Sequence, residues 1–135
     1  SIPYLSLKTN KYNFEKLVLK MIFEKRIELI CLAGFMKILS KNFIRNFKGK
    51  IINIHPSLLP KYKGLNTFQR VLKSKEKFTG CTVHFVDEQL DNGRIITKNK
   101  IMINSNDNVD TLKKKVQIQE YLAYSRAIRK IYISG

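Results

Sequence analysis

Asn53 and His55 stand two residues apart in Asn53-Ile54-His55-Pro56-Ser57-Leu58-Leu59-Pro60-Lys61-Tyr62-Lys63-Gly64, where an apolar run releases the chain into a loop punctuated by proline. On an extended backbone, side chains at that spacing leave from one face. Together they offer an uncharged hydrogen-bond donor and a proton carrier, and α/β folds keep their chemistry at the carboxyl ends of strands. A bare Asn-x-His-Pro also reads as an ordinary polar turn. What lies around it decides between the two.

The hydrophobic pattern gives the elements that must hold the pair. Asn10 caps a helix predicted from about Lys11 to Lys25, with Phe14, Leu17, Val18, Met21 and Ile22 as its apolar stripe. Ile27 to Ala33, ended by Gly34, reads as a buried parallel strand. A short helix near Lys41 to Phe47 and a turn at Gly49 lead into a strand from Lys50 to Ile54. Thr67 to Ser74 is predicted helical, and Gly80 to Val86 is a strand with Cys81, Val83 and Phe85 on one face and Thr82, His84 and Val86 on the other. After the Asp91-Asn92-Gly93 turn come a strand from Arg94 to Ile103 and a long amphipathic helix from Val109 to about Ile131. Helices alternating with apolar strands imply a three-layer, Rossmann-like α/β domain with a mainly parallel sheet. Right-handed crossovers would bring the carboxyl ends of successive strands to one edge. The segments Gly34 to Leu39, Asn53 with His55, and Asp87 to Asp91 are expected to converge there.

A chain of 135 residues with 44% hydrophobic content fits a single domain. No apolar run approaches a membrane span, and Ser1-Ile2-Pro3-Tyr4 lacks the features of a signal peptide, so a soluble cytoplasmic protein is expected. Cys31 and Cys81 lie in apolar runs and read as buried, reduced thiols. Two histidines without a cysteine or carboxylate cluster at ligand spacing predict no metal. The formal charge of +16 raises nucleic-acid binding as a hypothesis, but the lysines are dispersed, the longest run is Lys113-Lys114-Lys115, and no nucleic-acid motif accompanies them. The excess reads as a compositional bias whose field would speed the capture of anionic ligands. Neither nucleic acid nor membrane is expected as a partner.

With Leu32-Ala33-Gly34-Phe35-Met36-Lys37-Ile38-Leu39-Ser40 before it and Val83-His84-Phe85-Val86 and Leu90-Asp91 after it, the segment Asn53 to Gly64 resembles phosphoribosylglycinamide formyltransferase over nearly the whole chain. The resemblance implies transfer of a formyl group from 10-formyltetrahydrofolate to the amine of glycinamide ribonucleotide in purine synthesis. Related formyl-transferring families share the Asn, His and Asp, and Pro56 favours the purine enzyme. Such a transfer passes through a tetrahedral intermediate bearing an oxyanion, for which Asn53 is the donor, and it moves a proton, for which His55 is the carrier. The resemblance places Asp91 beside His55, where a carboxylate favours imidazolium and raises the histidine's pKa. Read alone, Asp91-Asn92-Gly93 is a turn, and His84 is a packed histidine that lines the site at most.

The resemblance also implies a folate pocket from Met36, Lys37, Ile38 and Leu39 on one side and Asp87, Glu88, Gln89, Leu90 and Asp91 on the other, with Asn53 at its end. As an isolated run, Phe35 to Leu39 is core packing. Lys11 falls where the family often has arginine, keeping the charge without the bidentate fork. Gln117, Ile118, Gln119 and Glu120 match the family's substrate-contacting segment. Asn92 replaces a commonly small residue, and asparagine tolerates positive φ. The family's first strand and glycine-rich phosphate loop have no counterpart here, so residues 1–135 are expected to be a partial single formyltransferase domain, a monomer or homodimer. The alternatives are a formyltransferase acting on methionyl-tRNA or a sugar nucleotide, and a basic nucleic-acid-binding module.

Overall fold

A computed structural model describes residues 4–35 and 37–133. The chain orders as α1 (Lys11–Lys25), β1 (Leu29–Leu32), α2 (Lys41–Asn46), β2 (Lys50–His55), α3 (Thr67–Lys73), β3 (Phe78–Phe85), β4 (Ile95–Met102) and α4 (Val109–Ile133). Asn10 caps α1 as expected, its side chain accepting from the Asn13 amide at 2.9 Å. Ser40 caps α2 in the same way through Phe43, and its hydroxyl donates to Glu15 of α1 at 2.5 Å, joining the two helices. Leu17 turns outward, 43% exposed, and Leu19 takes a place against the core beside Val18 and Ile22.

The sheet runs β1-β2-β3-β4. Its strand directions correct the expectation of a mainly parallel sheet: β1 pairs parallel with β2, but β2–β3 and β3–β4 are antiparallel. For β3–β4 the difference lies in the connection, because the segment from Val86 to Arg94 is too short for a parallel crossover and returns the chain beside the strand it has just left. β2 and β3 are joined through α3, and their antiparallel direction is set by tertiary pairing and not by loop length. Helices cover both faces. Ile52, Ile54, Cys81 and Val83 pack against Val116, Ala123 and Ala127 of α4, while Ile51 packs with Leu39, Phe43 and Phe47 beneath α1. The three-layer α/β reading therefore stands. Cys31, expected buried, is exposed, since β1 is an edge strand among the described residues. Among the described residues, no helix is long and apolar enough to cross a membrane.

Two features hold the layers. The Tyr124 hydroxyl on α4 donates to the Leu32 carbonyl at 2.6 Å and lies 3.2 Å from that of Ile52, tying the long helix to β1 and β2. Burial pushes this phenol's pKa up, which keeps it a donor at neutral pH. Phe43, 2% exposed, anchors the second apolar cluster. Phe43→Ala is expected to cost about 3–5 kcal/mol, measurable as a lowered urea midpoint, because the cavity beneath α1 cannot collapse fully.

Candidate active site

Period-two alternation puts Ile51, Asn53 and His55 on the face of β2 opposite Ile52 and Ile54. Register sets His84 directly across from Asn53, and Thr82 across from His55. This face is the one α4 leaves uncovered, since α4 packs on Ile52, Ile54, Cys81 and Val83. Asn53, His55 and His84, three side chains able to act on a substrate, thus start from neighbouring positions on two antiparallel strands. The fourth, Asp91, does not come from a parallel strand end as expected. It arrives from the β3–β4 connection, folded back over the face and kept close by Gly93, where a Cβ would stand 1.7 Å from the Phe85 carbonyl oxygen.

His55 is 6% exposed, and its Nε2 lies 2.8 Å from the Tyr62 carbonyl. A carbonyl only accepts, so Nε2 carries the hydrogen and Nδ1 of the neutral ring presents a lone pair. That Nδ1 faces Asp91 Oδ2 at 3.5 Å. His84 repeats the arrangement. Its Nδ1 donates to the Phe85 carbonyl at 2.9 Å, and its Nε2 faces Asp91 Oδ1 at 3.8 Å. Although His84 is only 2% exposed, that Nε2 has no hydrogen-bond partner among the described residues. Asp91 is 9% exposed and its Oδ2 accepts the Gly64 amide at 2.9 Å. Its φ of 49° is left-handed, so the positive φ anticipated near Asn92 falls on the aspartate. Asn92 instead bridges outward, accepting from Lys63 at 2.9 Å and donating to Gln89 at 2.8 Å.

The electrostatics of His55 differ in sign from the sequence expectation. Burial lowers its pKa below the ordinary 6.5 and outweighs the Tyr62 hydrogen bond and the Asp91 charge, both of which pull it up. A histidine whose folded pKa lies below its unfolded value stabilises the fold fully above 6.5. That contribution falls as pH drops through 6.5 toward the folded value, and then levels off. Urea unfolding followed from roughly pH 7.5 to 5 should therefore show declining stability, with a flatter profile in His55→Gln.

The other candidates distribute unevenly. Asn53 is half-buried, and its carboxamide has no hydrogen bond to another described residue. Leu39 is core, packed on Phe43, whereas Ile38 is 62% exposed and Leu90 55% exposed. These two apolar side chains stand on segments linked by Val86 against the Leu39 cluster and by the Arg45–Glu88 ion pair at 2.6 Å. Asp87 accepts from the Gln89 amide at 2.8 Å, shaping the loop. Lys37 lies over the Phe14 ring at 5.8 Å, Lys11 is exposed at the start of α1, and Met36 falls outside the described residues. Gln117, Ile118, Gln119 and Glu120 are not brought to His55. They sit on α4, over the opposite face, where Gln119 accepts from Asn99 at 3.0 Å and burial raises the Glu120 pKa.

The backbone groups of Tyr62 and Gly64 join the site without having been singled out as its members, and His84, read from sequence as a packed histidine that could line it, does stand there. The shared face of Thr82 and His84 was readable, but only strand pairing puts that face beside Asn53. Two clefts of about 370 and 360 Å³ lie elsewhere, one between Leu5 and α1 and one beneath Leu58 to Tyr62 against β4. Among the described residues, no group of three or more His, Cys, Asp or Glu side chains is arranged to hold a metal.

Comparison with known proteins adds to this geometry. A family model described as formyl transferase matches residues 4–128. The trifunctional purine biosynthetic protein adenosine-3 of Chironomus tentans is 46% identical over 110 residues, covering 82% of this chain and 8% of that protein. Phosphoribosylglycinamide formyltransferase of Haemophilus influenzae is 47% identical over 103 residues, covering 76% of this chain and 49% of that protein. The crystal structure of phosphoribosylglycinamide formyltransferase from Bacillus halodurans matches with a TM-score of 0.85 at 34% identity, over 93% of this chain and 65% of that one. The chain thus spans about half the length of the Haemophilus relative and a small part of the trifunctional one.

Proposed function

The chain belongs to the formyl transferase family, and from that premise we propose that it serves the transfer of a formyl group from 10-formyltetrahydrofolate to the amine of glycinamide ribonucleotide. One observation carries the reading. Asp91 stands between two buried imidazoles whose hydrogens are already given to backbone carbonyls, so the nitrogens and oxygens that meet there are all acceptors. Such a cluster is built to receive a proton. Beside it, Asn53 offers the opposite, a half-buried amide donor without a partner among the described residues.

Formyl transfer asks for both. The amine attacks the formyl carbon, the carbonyl electrons move onto oxygen, and Asn53 donates to the resulting oxyanion. The proton released from the amine is taken up at His55, with Asp91 stabilising the imidazolium so formed. As the bond from carbon to the folate nitrogen breaks, that nitrogen takes the proton, and the cluster returns to its starting state. His84 Nε2, buried and unpartnered, completes the acceptor set around Asp91. The lowered pKa of His55 suits a base that must begin neutral.

For the folate we assign Lys11, Met36, Lys37, Ile38, Leu39, Asn53 and Asp87 through Asp91, supported by the exposed Ile38 and Leu90. For the ribonucleotide we assign Gln117 to Glu120, on the strength of sequence likeness alone. The same reading sets the protein in the cytoplasm. Incubating the purified chain with 10-formyltetrahydrofolate and, separately, glycinamide ribonucleotide, methionyl-tRNA or an amino-sugar nucleotide, with mass detection of the formylated acceptor, tests it. Formylation of glycinamide ribonucleotide is expected; transfer only to another acceptor, or RNA binding without folate binding, would overturn the assignment.

A further inference from the structure

The acceptor that fixes the His55 tautomer is the Tyr62 carbonyl, and the donor on Asp91 is the Gly64 amide. Two backbone groups of one short segment therefore hold both members of the proton-transfer pair. That segment is not relaxed. Tyr62 has a φ of 57°, a left-handed conformation that an L residue with a large side chain rarely adopts unless its surroundings impose it.

The Tyr62 side chain points away from the pair and is held at its far end. Its hydroxyl donates to Glu76 Oε1 at 2.8 Å, beyond the end of α3. Lys61 approaches the same carboxylate oxygen at 3.6 Å. Arg70 of α3 covers the Tyr62 ring at 5.6 Å and donates to the Lys63 carbonyl at 2.6 Å. The Ser57 hydroxyl closes the loop by donating to the Lys61 carbonyl at 2.6 Å. Rotation of the Tyr62 peptide would withdraw its carbonyl from His55 and displace the Gly64 amide from Asp91. The phenol is the clasp farthest from the reacting atoms that still prevents this.

We propose that Tyr62, through its hydroxyl on Glu76, is a positioning residue for the His55–Asp91 pair. The hydroxyl touches neither His55 nor Asp91 and acts only by orienting the peptide behind it. For turnover this role rests on the formyl-transfer reading above; for the titration of His55 it does not.

The test uses the full chain as wild type, Tyr62→Phe, Glu76→Ala, Glu76→Gln and the double variant Tyr62→Phe/Glu76→Ala. Nitrogen-resolved NMR follows the His55 tautomer and titration, thermal melts report folding, and formyl transfer gives kcat and KM. The Tyr62 carbonyl bond raises the His55 pKa, so loosening it must move the titration to lower pH. Tyr62→Phe and Glu76→Ala are each expected to do so, and to lower kcat roughly tenfold with KM little changed, because small misplacements of a proton carrier are costly. Glu76→Gln keeps the acceptor and should restore the wild-type titration, and the double variant should lose no more than either single one. An unchanged His55 titration in both Tyr62→Phe and Glu76→Ala, or a Glu76→Gln variant as impaired as Glu76→Ala, would overturn the role. Should the wild type transfer no formyl group, the functional reading falls, while the titration still decides the positioning role.

Discussion

His55→Ala is expected to lower formyl transfer roughly a hundredfold to ten-thousandfold, the range for loss of a positioned general acid or base. Asp91→Asn should cost turnover by a different route. Asparagine tolerates the left-handed φ of 49° at this position and its side-chain oxygen can still accept the Gly64 amide, so the loop should hold. The charge, however, is gone. The attraction that raises the His55 pKa disappears while the burial that lowers it stays, so the pKa must fall further. An asparagine amide donating to Nδ1 would stabilise the neutral ring and push in the same direction. Because the two residues handle one proton, the double variant should lose far less than the product of the single losses. Single-turnover kinetics combined with NMR titration of His55 measure both halves. A His55 titration that does not move in Asp91→Asn, or losses that multiply fully, would leave Asp91 as a turn residue.

The second large effect is expected at Gly93, a residue without a functional side chain. A Cβ there would lie 1.7 Å from the Phe85 carbonyl oxygen and 2.7 Å from its carbon, both backbone atoms that cannot rotate away. Phe85 is bound into the sheet through the hydrogen bond from its amide to the Arg94 carbonyl at 2.9 Å, so the connection carrying Asp91 has to move instead. Gly93→Ala should therefore destabilise the fold by about 1–3 kcal/mol, as forced overpacking does. Displacing Asp91 from the two imidazoles by even an ångström should lower turnover on the order of a hundredfold. Urea unfolding and kcat together separate this from plain destabilisation: an active, merely less stable Gly93→Ala protein would show that the connection tolerates the shift without moving Asp91.

Period, caps and side-chain chemistry are local properties, and these the sequence determined by itself. The helices around Lys11–Lys25 and Val109–Ile133 follow from apolar spacing and, for the first, from the Asn10 cap. The common face of Asn53 and His55 follows from strand alternation alone, as does the common face of Thr82 and His84. Asp91 entered only through likeness to relatives, because an Asp-Asn-Gly turn looks the same whether it faces solvent or a histidine. Which strands pair, and in which direction, depends on contacts between residues far apart in sequence, and no local pattern encodes that. The antiparallel pairing of β2 with β3 put His84 opposite Asn53, and the return of the β3–β4 connection put Asp91 between two imidazoles. Burial is likewise a property of the assembled layers, and it reversed the expected shift at His55: the carboxylate pulls the pKa up as charge alone predicts, but taking the ring out of water pulls it down harder.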